Sequence, residues 1–194
     1  ACMKEDNYEE ALSILEQIPT TYKDYEAVAE QKKQAEAAYI EEVINAVELK
    51  ILGKQYADAL AVLDSKQEII GENAELVKKR VEIVELCKEN YFTEAEKYAS
   101  IEDYNNALEQ LQQLVNVLGK DADTEIKIMN YKVEQIIMTV KEFEEKEDYT
   151  TAIEYIQEQL PEVNNNAELL EKMEEIMVLN EIKENQPVTM EWQM

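Results

Sequence analysis

The chain has 194 residues, 45% hydrophobic and 32% charged, a composition that indicates one folded domain or a short array of repeats. Its 44 acidic and 19 basic residues give a formal net charge of −25, which would repel the phosphate backbone of nucleic acid. Histidine is absent and glycine occurs three times, which excludes histidine-based catalysis, histidine metal ligands and glycine-rich phosphate loops. We therefore expect no enzymatic activity, no cofactor and no metal site.

One pattern recurs four times along the chain: a tyrosine, an alanine three residues later, an aliphatic residue four later, and Leu or Ile seven later. These positions share one face of an α-helix. The four tyrosines lie 48, 48 and 45 residues apart. In chain order the copies read Tyr8-Ala11-Leu12-Leu15, Tyr56-Ala59-Leu60-Leu63, Tyr104-Ala107-Leu108-Leu111 and Tyr149-Ala152-Ile153-Ile156. The pattern predicts a short helix at each copy, with the alanine where two helices approach most closely.

Helix-ending residues follow each copy, and residues able to cap a new helix come next. The helix-ending residues are Pro19, Gly71, Gly119 and Pro161, and the capping candidates are Thr20-Thr21, Asn73, Asp121 and Asn164 to Asn166. A long amphipathic stretch then runs to a two-residue break before the next tyrosine. The breaks are Gly53-Lys54, Ile101-Glu102 and Lys146-Glu147. Each unit is thus predicted to hold a short helix and a long helix of about 25–32 residues, well above the usual mean.

The predicted fold is all-α: an α-solenoid of about eight helices in four unequal helix-turn-helix units over residues 1–186. The units cover residues 7–54, 55–102, 103–147 and 148–186. Residues 187–194 form a tail that alternates apolar and polar positions and contains the only tryptophan, Trp192. This tail is either a frayed end, the start of a further domain, or a segment that docks against a sheet edge or a neighbouring groove.

Two acidic features are candidates for functional sites. Asp121-x-Asp123-x-Glu125 resembles the opening of a calcium loop, but Ile126 replaces the glycine of the sharp turn and Lys132 the closing glutamate. These acids are more typical of a helix start, where they favour the positive end of the helix dipole. Paired glutamates are expected on solvated helix faces, so they do not indicate a catalytic dyad.

Aromatic residues are the best candidates for partner contact. Most of the 11 tyrosines are expected in the core, at helical spacing. A few rigid aromatic anchors on an interaction surface are still expected. The candidate partner-binding residues are Tyr39, Tyr91, Tyr131 and Trp192. Because the chain is strongly acidic, we expect the partner to be a basic or polar-aromatic protein or peptide.

The short-helix pattern resembles the second helix of a tetratricopeptide repeat. Asp148-Tyr149-Thr150-Thr151-Ala152-Ile153-Glu154-Tyr155-Ile156 and Asp103-Tyr104-Asn105-Asn106-Ala107-Leu108 are the closest copies, and Ala95 and Tyr98 match part of the first-helix signature. The repeat of that family is about 34 residues long. The wider spacing of the tyrosines here, 45–48 residues, implies a lengthened first helix. The resemblance implies a protein-binding scaffold.

Two further likenesses concern location. Tyr8-to-Leu15 followed by Tyr22-Lys23-Asp24 is similar to degenerate repeats in membrane-anchored surface proteins of bacteria, and Ala1-Cys2 resembles the end of a bacterial lipobox. No apolar run approaches the ~18 residues of a membrane span. These features slightly favour an extracytoplasmic protein, such as a lipoprotein, over a cytoplasmic one, without a transmembrane segment in this chain.

The favoured function is a non-catalytic protein–protein interaction scaffold. The alternative is a rigid helical spacer that holds another domain ~40–50 Å from a surface. A helical enzyme and a cation-binding protein are less favoured. The partner's identity and the oligomeric state are left open by the sequence.

Overall fold

The computed structural model describes residues 7–185, and this part of the chain is all-α. Between residues 7 and 185 there are eight α-helices, and a 3-10 turn (Leu160–Val163) follows the seventh. The helices are α1 (Tyr8–Glu16), α2 (Tyr25–Leu52), α3 (Tyr56–Ile70), α4 (Ala74–Ala99), α5 (Tyr104–Leu118), α6 (Ala122–Glu145), α7 (Tyr149–Gln159) and α8 (Ala167–Glu184). Short and long helices alternate, although α8, with 18 residues, is shorter than expected.

The four short helices start in the same way. Each motif tyrosine is the first residue of its helix, and the residue before it is the N-cap. The caps Asn7, Asp103 and Asp148 each accept a hydrogen bond from the backbone N–H three residues later. Gln55 occupies the same position before α3 but makes no capping hydrogen bond. A short polar side chain at this position therefore fixes where three of the four helices begin.

The long helices are capped at three of the four predicted places. The side chains of Asn73, Asp121 and Asn166 accept hydrogen bonds from backbone N–H groups two and three residues later. The prediction of a cap at Thr20-Thr21 is wrong, because α2 begins at Tyr25 after Asp24. Backbone hydrogen bonds from Tyr22 to Pro19 and from Tyr25 to Tyr22 form turns across the predicted start.

One backbone motif joins each long helix to the next short helix. Lys54, Glu102 and Glu147 have positive φ angles of 56°, 61° and 52°. At each turn the N–H of this residue bonds the carbonyl three residues back, and the next N–H bonds the carbonyl five residues back. This is the Schellman arrangement, in which a left-handed residue closes the helix end. The predicted two-residue breaks contain these three residues.

The chain divides into two compact units that meet within α4, one up to residue 90 and the other from residue 91. In the first unit α2 packs against both α1 and α3. In the second unit α5 packs against α6, α6 against α7, and α7 against α8. The partition of residues 1–186 into four repeat units stays a prediction of the sequence.

The motif residues lie mainly in the core. The four alanines are buried, as are Leu63, Leu111 and Ile156, whereas Leu15 is half-buried. In the second unit Ala107 and Leu111 pack with Ala95 of α4. A larger cluster joins Val133, Ile136 and Val140 of α6 to Ala152 and Ile156 of α7 and to Leu169 and Ile176 of α8. Small side chains at these contacts allow two helix axes to come close together.

Candidate interaction surface

Three ion pairs recur at equivalent positions of successive long helices. The pairs are Glu48–Lys79, Glu96–Lys127 and Glu144–Lys172, with N–O distances of 2.9, 2.6 and 2.9 Å. Counted from the motif tyrosine of its own unit, each glutamate has the same offset, and the lysines share a second offset from the tyrosine of the next unit. The first pair lies within the first compact unit, and the other two lie within the second. We call this set the Glu–Lys ladder.

The lysines of the ladder are held by carboxylates of neighbouring helices. The Lys79 side chain is 11% exposed and bonds Glu82 as well as Glu48. The hydrogen bond to Glu48 is the main cause of the raised pKa of Lys79, and burial opposes it. The side chains of Lys127 and Lys172 are each 25% exposed, so all three ladder lysines are largely shielded from solvent. Ion pairs of this kind contribute modestly to stability, so their regular spacing is the more informative property.

An acidic groove lies between the start of α5 and the second half of α6 in the second unit. We call it the Tyr104 groove, and its volume is about 210 Å³. It is lined by Glu102, Tyr104, Glu134, Met138, Lys141, Glu142 and Glu145. Four carboxylates thus surround one aromatic ring, one thioether and a single ammonium group.

The aromatic ring that lines this groove packs against a second tyrosine, which in turn lies beside a lysine. The Tyr104 ring contacts the ring of half-buried Tyr131, with centroids 6.2 Å apart. The Lys127 ammonium lies 5.9 Å from the centroid of the Tyr131 ring and 5.1 Å from that of Phe92. Burial raises the pKa of Tyr104, and the negative charges of Glu134 and Glu102 raise it further. A tyrosine hydroxyl is neutral at physiological pH even without this shift, so it can act as a hydrogen-bond donor.

The groove has the chemistry to hold a cationic side chain. Carboxylates form charge-assisted hydrogen bonds with Lys or Arg, and an aromatic face attracts the same cations. Its volume is below the ~300 Å³ at which pockets for drug-sized ligands begin, so a single side chain suits it better than a whole small molecule.

A second groove in the first unit differs in charge. It lies between α2 and α4, has a volume of about 220 Å³, and is lined by Ile44, Glu48, Glu75, Lys78, Lys79 and Glu82. Lys79 already pairs with two of its carboxylates there. With three carboxylates against two ammonium groups, this groove attracts cations less strongly than the Tyr104 groove, which has four against one.

The candidate aromatic residues have different environments. Tyr39 is 2% exposed, which places it in the core of the first unit, and its role as a partner contact stays a prediction. Its hydroxyl lies 3.5 Å from a Glu9 carboxylate oxygen, and the Lys66 ammonium covers its ring at 5.7 Å. Burial raises the pKa of Tyr39, although Lys66 opposes this effect. Tyr91 and Tyr131 are half-buried, and Trp192 lies outside the described residues.

The acids that resemble a calcium loop act as a helix cap. One Asp121 carboxylate oxygen accepts hydrogen bonds from the backbone N–H groups of Asp123 and Thr124, and the other accepts one from the Thr124 hydroxyl at 2.9 Å. Thr124 is fully buried, so this cap also satisfies a buried polar group. Among residues 7–185 no three acidic or cysteine side chains are arranged to hold a metal ion.

Neither the Glu–Lys ladder nor the Tyr104 groove was predicted from the sequence. The ladder has a readable signal, because its glutamates and its lysines each keep a constant offset from the motif tyrosines. The groove has none, since it combines the turn before α5 with residues much further along the chain, on α6. In the part of the chain that is described, no helix is long and apolar enough to cross a membrane. The chain matches no family model, no curated protein and no solved structure.

Proposed function

We propose that this protein is a non-catalytic interaction scaffold of tetratricopeptide-like repeats that binds a basic or polar-aromatic segment of another protein. The proposal rests mainly on the Tyr104 groove, in which four carboxylates lie around an aromatic ring that packs against Tyr131. Such a groove favours a Lys or Arg side chain as the anchor of a bound segment.

The regular spacing of the structure supports the repeat part of the proposal. The Schellman turns, the buried alanines and the Glu–Lys ladder all follow the register set by the motif tyrosines. Repeat arrays of this kind stack helix pairs into extended surfaces, which are used for binding. An extracytoplasmic location, as a surface protein or lipoprotein, remains part of the proposal on the sequence likenesses alone.

A capture experiment with paired variants tests the proposal. Immobilised residues 1–194 are exposed to lysate and envelope fractions of the source cells at low and at high salt. The groove variant Glu134→Gln/Glu142→Gln removes two carboxylates from the Tyr104 groove. The control Glu154→Gln/Glu171→Gln removes two exposed carboxylates elsewhere in the second unit, so the net charge of both variants is the same.

We expect the parent and the control to retain a discrete protein at both salts and the groove variant to lose at least about 90% of it. Below saturation this loss corresponds to an affinity about tenfold weaker, or about 1.4 kcal/mol of binding free energy. The opposite result is material that all three proteins release together as salt rises. That outcome would mean diffuse attraction of cations to an acidic surface, and the spacer function would then be preferred.

A further inference from the structure

A lysine of the second unit shows how a motif tyrosine can hold a cation. The Lys183 ammonium group lies 5.6 Å from the centroid of the Tyr149 ring. The same ammonium group donates a hydrogen bond to the backbone carbonyl of Glu147 at 2.6 Å and lies 3.4 Å from a carboxylate oxygen of that residue. An ammonium group thus sits between the first tyrosine of a short helix and the glutamate of the turn before it.

The Tyr104 groove is the equivalent place at the preceding motif tyrosine. Glu102 and Glu147 have the same offset from their motif tyrosines, Tyr104 and Tyr149. Both glutamates have positive φ, 61° and 52°, and both turns close with the same pair of backbone hydrogen bonds. The two turns therefore have the same backbone arrangement, with a glutamate and a tyrosine at matching positions.

The two places differ in the cation. Met138 of α6 has the offset that Lys183 has on α8, and it lines the Tyr104 groove. Within residues 7–185 no ammonium group lies over the Tyr104 ring. Lys141 also lines the groove, but its side chain is exposed and forms no ion pair with the described part of the chain. The groove thus has the glutamate and the ring but not the bound ammonium group.

The contacts of Lys183 favour an ammonium group over a guanidinium group. A carbonyl oxygen, a carboxylate oxygen and a ring face lie around one nitrogen atom there. An ammonium group carries its charge and three donors on one nitrogen, whereas a guanidinium group spreads five donors over a planar fork that suits paired acceptors. The carboxylates that line the Tyr104 groove attract either cation, so the contacts beside the ring decide the selectivity.

We propose that the Tyr104 groove binds a lysine side chain of the partner, at the place that corresponds to Lys183, and prefers lysine to arginine. The ammonium group of that lysine contacts the Tyr104 ring and donates to the backbone carbonyl and the carboxylate of Glu102. This inference rests on the proposed function, because it names the anchor of the bound segment.

A capped amino acid tests the groove without knowledge of the partner. The full chain is isotope-labelled in its tyrosine rings for NMR, and the Tyr104 signal is assigned by its loss in Tyr104→Phe. Acetyl-lysine-N-methylamide and the equivalent compounds of arginine and uncharged norleucine are titrated at constant ionic strength. We expect the lysine compound to shift the Tyr104 signal with a dissociation constant in the millimolar range and the arginine compound to bind at least about threefold more weakly. The norleucine compound should leave the signal in place.

A matched pair of variants locates the binding. Met138→Lys should place an ammonium group of the chain itself in the groove, as Lys183 does beside Tyr149, and abolish the response of Tyr104 to the lysine compound. The control Met177→Lys adds the same charge at an exposed methionine of α8 and should leave the response unchanged. Circular dichroism checks that both variants remain helical.

Three results would overturn the proposal, and two of them need no variant. A Tyr104 signal that the lysine compound does not move would show that the groove binds no ammonium group. Equal affinities of the lysine and arginine compounds would show that charge alone is recognised. An equal response in folded Met138→Lys and Met177→Lys would place the binding outside the groove.

Failure of this inference is distinguishable from failure of the proposed function. A protein that the parent captures and Glu134→Gln/Glu142→Gln loses keeps the scaffold function, even where the lysine compound does not move the Tyr104 signal. Conversely, a Tyr104 response to lysine without any captured protein refutes the scaffold function and keeps the lysine site.

Discussion

Cys87 lies on α4 without exposed surface, and burial raises the pKa of its thiol from 9.0 to about 11. Only the thiolate attacks a thiol reagent, so at pH 8 the reactive fraction is about a hundredfold below that of an ordinary cysteine. In a Cys2→Ser background, where Cys87 is the only thiol, we expect labelling by an aromatic disulfide to be at least a hundredfold slower in native than in unfolded protein. Equal rates in the two states would contradict the burial of this residue.

The same shift gives a pH dependence with a definite sign. A pKa raised on folding means that the folded state favours the neutral thiol, so this contribution is complete below pH 9 and is lost as pH rises towards 11. Burial also raises the pKa of Tyr39 and Tyr131, which acts in the same direction. The free energy of unfolding should therefore fall above pH 9, and less steeply in Cys87→Ala.

The burial of a residue can be predicted from its distance along the chain to the motif tyrosine of its unit, which we call the repeat register. Residue type alone is a poorer guide. The register places the motif alanines at close helix contacts, and all four are buried. Tyr39 is a binding candidate by residue type alone. It has the same offset from its motif tyrosine as Cys87 has from the next, and both positions are buried. Reading the register over the whole unit assigns Tyr39 to the core.

At the scale of the helix, α3 lacks the cap that the other short helices have. Asn7, Asp103 and Asp148 bond the third backbone N–H, whereas Gln55 does not. We expect Gln55→Asp to raise the free energy of unfolding by about 0.5–2 kcal/mol, because its shorter side chain can supply the capping hydrogen bond that Gln55 does not make. Urea denaturation measures this difference.

Gln55→Glu is the matched control for this substitution. It adds the same charge at the positive end of the helix dipole, but its longer side chain is a poor N-cap. An equal gain from both variants would mean that charge, not capping, limits α3. No gain from either would show that Gln55 leaves no N–H group unsatisfied.

Helix order and type are readable from the sequence because Pro, Gly and the tyrosine motif mark most ends. Gly71 and Gly119 end α3 and α5 with φ of 73° and 82° and ψ near 180°, a conformation open to glycine almost alone. The start of α2 is harder to read, because Thr20 and Thr21 are equally good caps by residue type. Backbone turns between Pro19 and Tyr25 decide that start, and side-chain preference does not reveal them.

At the scale of the whole molecule, the all-α fold class can be predicted from the composition and from the helical spacing of apolar residues. The arrangement of side chains on the surface cannot be predicted in this way. The Tyr104 groove brings Glu102, in the turn before α5, close to Glu134, in the interior of α6. The ion pair with Glu96 holds Lys127 near the ring of Tyr131, which contacts Tyr104. Which surface side chains come together depends on which faces of the helices meet. Those faces are not evident from a single sequence, although the constant spacing of the Glu–Lys ladder from the motif tyrosines indicates some of them.

The net charge of −25 also sets how stability responds to salt. Salt weakens both the repulsion among carboxylates and the attraction within ion pairs, with a screening length that falls from ~10 Å at 0.1 M to ~3 Å at 1 M. Exposed ion pairs contribute only about 0–1 kcal/mol each, and the least exposed ladder lysine, Lys79, is screened least. Repulsion among 44 acidic residues opposed by 19 basic ones should therefore dominate the response.

We expect the free energy of unfolding in urea to rise as sodium chloride increases from low millimolar to about 0.5 M, where the screening length is well below the ~10 Å of 0.1 M salt. Magnesium and calcium chloride at the same ionic strength serve as the comparison. Both should stabilise the protein equally, because charge condensation on the surface does not distinguish them. A fall in stability with salt would mean that the Glu–Lys ladder outweighs the repulsion. A larger effect of calcium than of magnesium would instead require a specific site, which the capping role of Asp121 argues against.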